Sequence, residues 1–369
     1  MQTTLRPRRS PSRTETAFEA AVNVFLWAFR IILVLIVVVG SYLTITSGKF
    51  TVDTWVTLII NGAVQGGIYA LVALGYTMVY GIMKMINFAH GEIFMIGIFA
   101  GYFTAEILED FGILNASALA SLFSITLMMI VAATISTLVA LAVERVAYRP
   151  LRHSPRLVLL ISAIGASYFL QYTVRGLVGP GIFKYPTIDV MEEETGLPIL
   201  SALGMTWIQV IVIGSALLMM AVLYAFVMRS KQGTAIRAVS EDKEAAALMG
   251  VDVTRAVVIT FGVGAAMAGA AGVLYGLYWG QVQFYTGFIP GIKAFTAAVL
   301  GGIGNIPGAM VGGFVLGEAE SIGSLLIIDG LGVPSPGQLK DVIAFTILVM
   351  VLMFRPQGIM GERLSRSRA

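Results

Sequence analysis

Ten stretches of this 369-residue chain are apolar over a length that suits a bilayer, and charge clusters or helix-breaking residues separate them. A helix needs about 20 residues, or about 17–25 with tilt, to cross a hydrocarbon core of about 30 Å. The stretches are 22–47, 54–81, 86–105, 114–143, 157–178, 207–228, 256–279, a short one at 291–302, 308–327 and 340–355. They predict an all-α chain: a polytopic transmembrane helical bundle of about ten spans, some of them short or broken.

Composition enters where alternatives must be removed. Charged residues make up 12% of the chain, against about 25% in soluble domains, and hydrophobic residues make up 57%. With a mean hydropathy of +0.86, these values exclude a soluble enzyme, a disordered chain, a coiled coil and a disulfide scaffold. The chain has no Cys and two His, so a thiolate nucleophile is absent and no metal site or cofactor is expected. The net charge of +3 reads as membrane-flanking loops rather than as a nucleic-acid surface.

The basic residues set the expected topology. Four segments hold 17 of the 24: 1–20, 144–156, 229–255 and 355–369. The segments between them are acidic, with Glu106, Glu109 and Asp110, then Asp189 and Glu192 to Glu194, then Asp329. Basic loops face the cytoplasm, so both termini are expected inside, which requires an even number of spans. Trp55, Trp207 and Trp279 fall at outer span ends and Trp27 near the inner end of the first, as interfacial aromatics do. The stretch 22–47 reads as a retained helix rather than a cleaved leader, with Arg30 reaching to the cytoplasmic surface. The expected parts are a basic tail at 1–21, an extra N-terminal helix at 22–47, a main domain at 54–355 and a second basic tail at 356–369.

Glycine is the second excess, at 41 residues, about 11% against an ordinary 7% or so. Most of it suits close helix packing. The run Gly302-Ile303-Gly304-Asn305-Ile306-Pro307-Gly308 does not, because three glycines in seven residues and a proline disfavour a helix. A chain break is expected there, with Asn305 as a helix cap or a solute contact. Broken backbone in a membrane survives when buried in protein or beside a wet path, and transporters use it near their solutes. The second polar intrusion is Asn87-Phe88-Ala89-His90-Gly91-Glu92, where Asn87 can cap the next helix and Gly91 can admit a neighbour. Intramembrane ionisable residues are functional candidates, so Asn87, His90, Glu92, Gly302, Gly304 and Asn305 form the candidate translocation path. Lys293, Glu318 and Glu320 raise the same question.

Residues 229–255 form the one long basic loop, and the stretch Glu244-Ala245-Ala246-Ala247-Leu248-Met249-Gly250 is helical in character. Its Glu-Ala-Ala-x3-Gly spacing resembles the coupling motif of ABC importer membrane subunits, which docks on an ATP-binding subunit. Glu244, Ala245, Ala246 and Gly250 are the candidate coupling residues. The Ile-x-Leu-Pro ending of the maltose-type pattern is absent, with Thr260-Phe261-Gly262 in its place. A phosphate-binding Gly-x4-Gly-Lys-Ser/Thr loop is absent too, so any ATP hydrolysis falls to separate subunits.

Several motifs together resemble one family. Asn61 to Gly66, Ala73 to Gly81, Met85 to Glu92, Glu144 to Pro150, Ile161 to Gly165, Glu244 to Gly250 and Phe295 to Gly304 are similar to the permease of branched-chain amino acid ABC importers. The closest type is the smaller, H-type, of its two paralogous membrane subunits. The resemblance implies a multi-pass protein of the bacterial inner membrane that pairs with a related membrane subunit, two ATP-binding subunits and a periplasmic solute-binding protein. Residues 1–50 have no counterpart in that pattern. Permeases for urea and short amides share some of these motifs, and an ion-coupled secondary transporter using Glu92, Glu318 and Glu320 is the other rival.

Overall fold

The computed structural model describes residues 13–152 and 154–361. The basic residues Arg6, Arg8, Arg9, Arg363, Arg366 and Arg368 lie outside that range. Fourteen α-helices account for nearly all regular structure among the described residues. They are α1 (Arg13–Ser47), α2 (Val52–Met83), α3 (Ala89–Asp110), α4 (Ala118–Val143), α5 (Arg156–Val178), α6 (Asp189–Glu192), α7 (Pro198–Ser201), α8 (Trp207–Arg229), α9 (Lys231–Glu241), α10 (Lys243–Leu248), α11 (Val253–Trp279), α12 (Phe288–Gly301), α13 (Ile306–Gly323) and α14 (Lys340–Phe354). Nine helical stretches of the described residues are long and apolar enough to cross a membrane, and α12 is a tenth apolar helix of 14 residues. At 1.5 Å per residue α12 is about 21 Å long, less than the hydrocarbon thickness. The all-α polytopic architecture expected from the apolar runs is therefore the one observed.

The chain divides into two compact units. The smaller comprises residues 1–51 with 323–339. In it, the Thr44 hydroxyl of α1 donates to the Leu326 carbonyl at 2.9 Å, and Gly40 lies against the Ile327 backbone within the π-helical turn Ser324–Asp329.

The larger unit comprises residues 52–322 with 340–369. Its centre is α2, α3 and α11, which bury about two thirds of their apolar length, whereas α4, α5 and α8 bury about a third. Small residues make that centre dense: a methyl group on Gly97 of α3 would lie 2.5 Å from the Gly269 Cα of α11. Hydroxyls tie α4 to this core, Ser136 donating to the Ile93 carbonyl at 3.0 Å and Thr137 to that of Gly262 at 3.1 Å. Helix α4 continues through a π turn at Glu144–Tyr148 into a 3-10 turn at Arg149–Leu151. Pro150, with no amide to donate, ends the regular ladder there.

The loops of this unit sort into two ends. At one, Lys84, Arg152, Arg156 and Lys243 line a cavity of about 530 Å3, and Tyr80, Lys84, Arg237, Gly304, Asn305 and Gln357 line another of about 590 Å3. Towards the other, β1 (Phe183–Lys184) pairs antiparallel with β2 (Gln281–Val282), and Asn115 bonds to the Thr187 carbonyl and the Asp189 amide. Within this unit, residues from the basic segments 144–156 and 229–255 and from 355–361 thus share one end, and the acidic segment from Asp189 lies with the other group.

Candidate functional site

The site grows from the turn between α2 and α3. Lys84, at φ +53, lies in the left-handed region and directs the chain away from α2, and α3 begins at Ala89. Asn87 does not cap α3 with its side chain, contrary to the sequence expectation. Its backbone carbonyl accepts from the His90 amide at 3.1 Å, while its Oδ1 takes the Tyr148 hydroxyl at 2.6 Å. Tyr148 is fully buried on the π turn of α4, which aims it at this point. Widened turns of this kind recur at functional sites.

His90 is buried against Tyr76, ring centroids 4.8 Å apart and edge to face. One ring nitrogen faces the Val72 carbonyl, and Nε2 has no hydrogen-bond partner among the described residues. Gly91 admits α12 as expected: a methyl group there would lie 3.2 Å from the Gly291 Cα. Glu92 is fully buried. Its Oε1 accepts from Ser167 at 3.2 Å and Gln171 at 3.1 Å, both on α5. Ser167 is the central residue of Arg156–Val178, so the Glu92 carboxylate lies about 16 Å along the helix from either end of that span. It sits at the level of the middle of α5, not at either of its ends.

Sequence reading missed Ser167 and Gln171, although two polar side chains four residues apart share one helix face and could have been seen as a pair. It also left open what Lys293 and Glu320 do. Lys293 of α12 meets Glu320 of α13 at 3.0 Å and Asp341 of α14 at 2.7 Å, and the Tyr69 hydroxyl of α2 donates to Glu320 at 3.1 Å. This cluster joins four helices through buried charge. Glu318 instead lies against Gly62 of α2, and its Oε2 has no hydrogen-bond partner among the described residues.

The break at Gly302 falls where the glycine run places it. Helix α12 ends at Gly301, and Gly302 turns the chain at φ +109, a conformation that a side chain disfavours. Asn305 caps α13, its Oδ1 accepting from the Gly308 amide at 3.0 Å while its Nδ2 donates to the Met360 carbonyl at 2.8 Å. Gly304 and Asn305 line the 590 Å3 cavity at the basic end rather than the level of Glu92, so the two breaks are not one site.

That cavity is also lined by Arg237, Ser240 and Glu241 of α9, from the loop after α8. The loop is two helices, not one, because the Asp242 side chain accepts from the Glu244 and Ala245 amides and starts α10 afresh. Ser230 caps α9 and Asp252 caps α11 in the same way. Gly250, at φ +84, ends α10, and the Val251 amide returns to the Ala246 carbonyl at 3.0 Å. Of the candidate coupling residues, Ala246 is buried and faces inward, while the two apolar side chains beside them, Leu248 and Met249, are 89% and 84% exposed. Lys243 is held below the usual lysine range by partial burial and by the nearby Arg152 and Lys84 charges.

Residues 58–352 match the family model described as "Branched-chain amino acid transport system / permease component". The chain is 43% identical over 308 residues to the high-affinity branched-chain amino acid transport system permease protein BraD of Pseudomonas aeruginosa, covering 82% of this chain and 95% of that one. It is 42% identical to the LivH permease of the corresponding system in Escherichia coli, covering 82% and 94%. A probable branched-chain amino acid transport permease, LivH of Methanocaldococcus jannaschii, is 26% identical over 314 residues, covering 82% and 92%. No solved structure matches the chain.

Proposed function

Because the chain belongs to the branched-chain amino acid transport permease family, we propose that it is the membrane-spanning subunit of an ATP-driven importer for leucine, isoleucine and valine in the bacterial inner membrane. Its partners in this reading are a paralogous membrane subunit, two ATP-binding subunits and a periplasmic solute-binding protein. The basic end faces the cytoplasm.

The observation that carries the proposal is α10. Two exposed apolar side chains, Leu248 and Met249, stand at the tip of a short capped helix on the basic end. An ATP-binding subunit that takes this tip in a groove moves α9 and α10 as it closes. Helix α9 lines the same cavity as Gly304 and Asn305, so the motion reaches the α12–α13 break directly. The cavity is the inward exit of the path, and the polar turn from Asn87 to Glu92 lies deeper along it. Alternating access then consists of tilting the helices around these two breaks. The Glu320 carboxylate, tied to Lys293 at 3.0 Å, is engaged in an internal ion pair, which weighs against its serving as an ion-coupling group.

The test is reconstitution in proteoliposomes with the candidate partner subunits and binding protein. ATP-dependent leucine uptake is expected. Urea uptake with leucine inert would overturn the solute assignment, and leucine uptake by this chain alone under a proton or sodium gradient would overturn the ABC assignment. Replacing Gly250 with a bulky residue is expected to cut ATP-coupled uptake about tenfold or more; unchanged uptake would remove the coupling role.

A further inference from the structure

Three carboxylates are buried in the described protein: Glu92, Glu144 and Glu320. Glu144 is paired with Arg152, and Glu320 with Lys293. Glu92 has no cation within ion-pair distance among the described residues. One of its oxygens is occupied by the Ser167 hydroxyl and the Gln171 amide, which hold the group in a defined orientation. The other, Oε2, is shielded from solvent and has no hydrogen-bond partner among the described residues. A carboxylate accepts about four hydrogen bonds, and leaving a buried charged acceptor half satisfied is costly. Ionisable groups at membrane depth otherwise pair with one another or face a solute pathway.

We propose that Glu92 Oε2 receives the ammonium group of the amino acid in transit, so that Glu92 is the counter-ion selecting solutes with a free amine. The proposal rests on the importer reading above and adds to it the residue and the chemical group recognised. An ammonium brings the two things the site lacks, a positive charge and N–H donors. Ser167 and Gln171 act as positioning residues that leave Oε2 free. On the same turn Asn87 Nδ2, a donor, is also without a partner among the described residues. It is the kind of group a solute carboxylate takes up. Acceptor and donor together suit a zwitterion better than an inorganic cation.

The experiment uses the full complex in proteoliposomes with its binding protein, measuring leucine uptake and binding-protein-stimulated ATP hydrolysis in parallel. Glu92→Gln preserves shape and the Ser167 contact but removes the charge. It is expected to lower leucine uptake at least tenfold while ATP hydrolysis stays within about twofold of the unmodified complex. Uptake within twofold would overturn the proposal alone and leave the importer reading standing. Parallel loss of uptake and hydrolysis would overturn it in favour of a structural role. Where Glu92→Gln fails to assemble, Glu92→Asp decides. Retracting the carboxylate by one methylene is expected to raise the KM for leucine about tenfold at retained hydrolysis, and an unchanged KM overturns the proposal. Urea transport by the unmodified complex in place of leucine would overturn both readings, since urea carries no ammonium.

Discussion

Lys293 shows how much one residue can hold in a membrane. Its ammonium lies between Glu320, fully buried, and Asp341, whose side chain is 47% exposed, so a single charge links α12 to α13 and α14. Removing one member of a buried pair leaves the other uncompensated, at a cost of about 3–5 kcal/mol. Lys293→Ala is therefore expected to lower the melting temperature of the detergent-solubilised complex sharply, and Lys293→Met with Glu320→Gln is expected to recover part of the loss. Additive losses in that double-mutant cycle would show that the two do not act as a pair. The identities of these residues as intramembrane charges were legible in the sequence. Their pairing was not, because 27 residues separate Lys293 from Glu320 and only the fold closes that distance. Asn87 is the converse case: its type suggested a helix cap, and the buried Tyr148 hydroxyl took the side chain instead.

At the scale of elements, the short helix α12 and the pair α9–α10 carry the argument. A methyl group on Gly302 would meet the Gly361 nitrogen at 2.7 Å and the Gln357 oxygen at 3.0 Å, whereas one on Gly304 has open space, and both residues have positive φ. Gly302→Ala is thus expected to destabilise the purified protein more than Gly304→Ala, the first adding a clash to about 1–3 kcal/mol of backbone strain common to both. Equal shifts in melting temperature would contradict the packing account. For α10, Leu248→Ser with Met249→Ser removes the exposed apolar tip without touching the buried Ala246. Copurification of the ATP-binding subunits is expected to fall about tenfold, with the fold unchanged by circular dichroism. The glycine run announced the break, and the Ala-rich loop announced a short helix. That the loop is split by Asp242, and that its tip is Leu248 and Met249 rather than the motif residues, depended on which side of α10 the protein buries.

The molecule as a whole divides into two units, and the family match begins at residue 58, after α1. Removing residues 1–47 takes away the contacts that Gly40 and Thr44 make with Leu326, Ile327 and Gly330. The expected effect is lower abundance in the membrane with leucine uptake per assembled complex within about twofold. A complete loss of uptake at normal abundance would assign α1 a transport role instead. Chain-wide features came from the sequence because they depend on local quantities: span lengths follow from rise per residue, and the alternation of basic and acidic loops follows from charge counts. On these grounds alone the chain is an all-α membrane protein of about ten helices with one long basic loop and two polar breaks. The tertiary structure decided which polar groups meet. It brought Ser167 and Gln171 to one oxygen of Glu92, Lys293 to Glu320, and α9 to the cavity beside Gly304. Hydrogen bonds and ion pairs act over a few ångströms between residues far apart in the chain, and neither periodicity nor composition carries that distance.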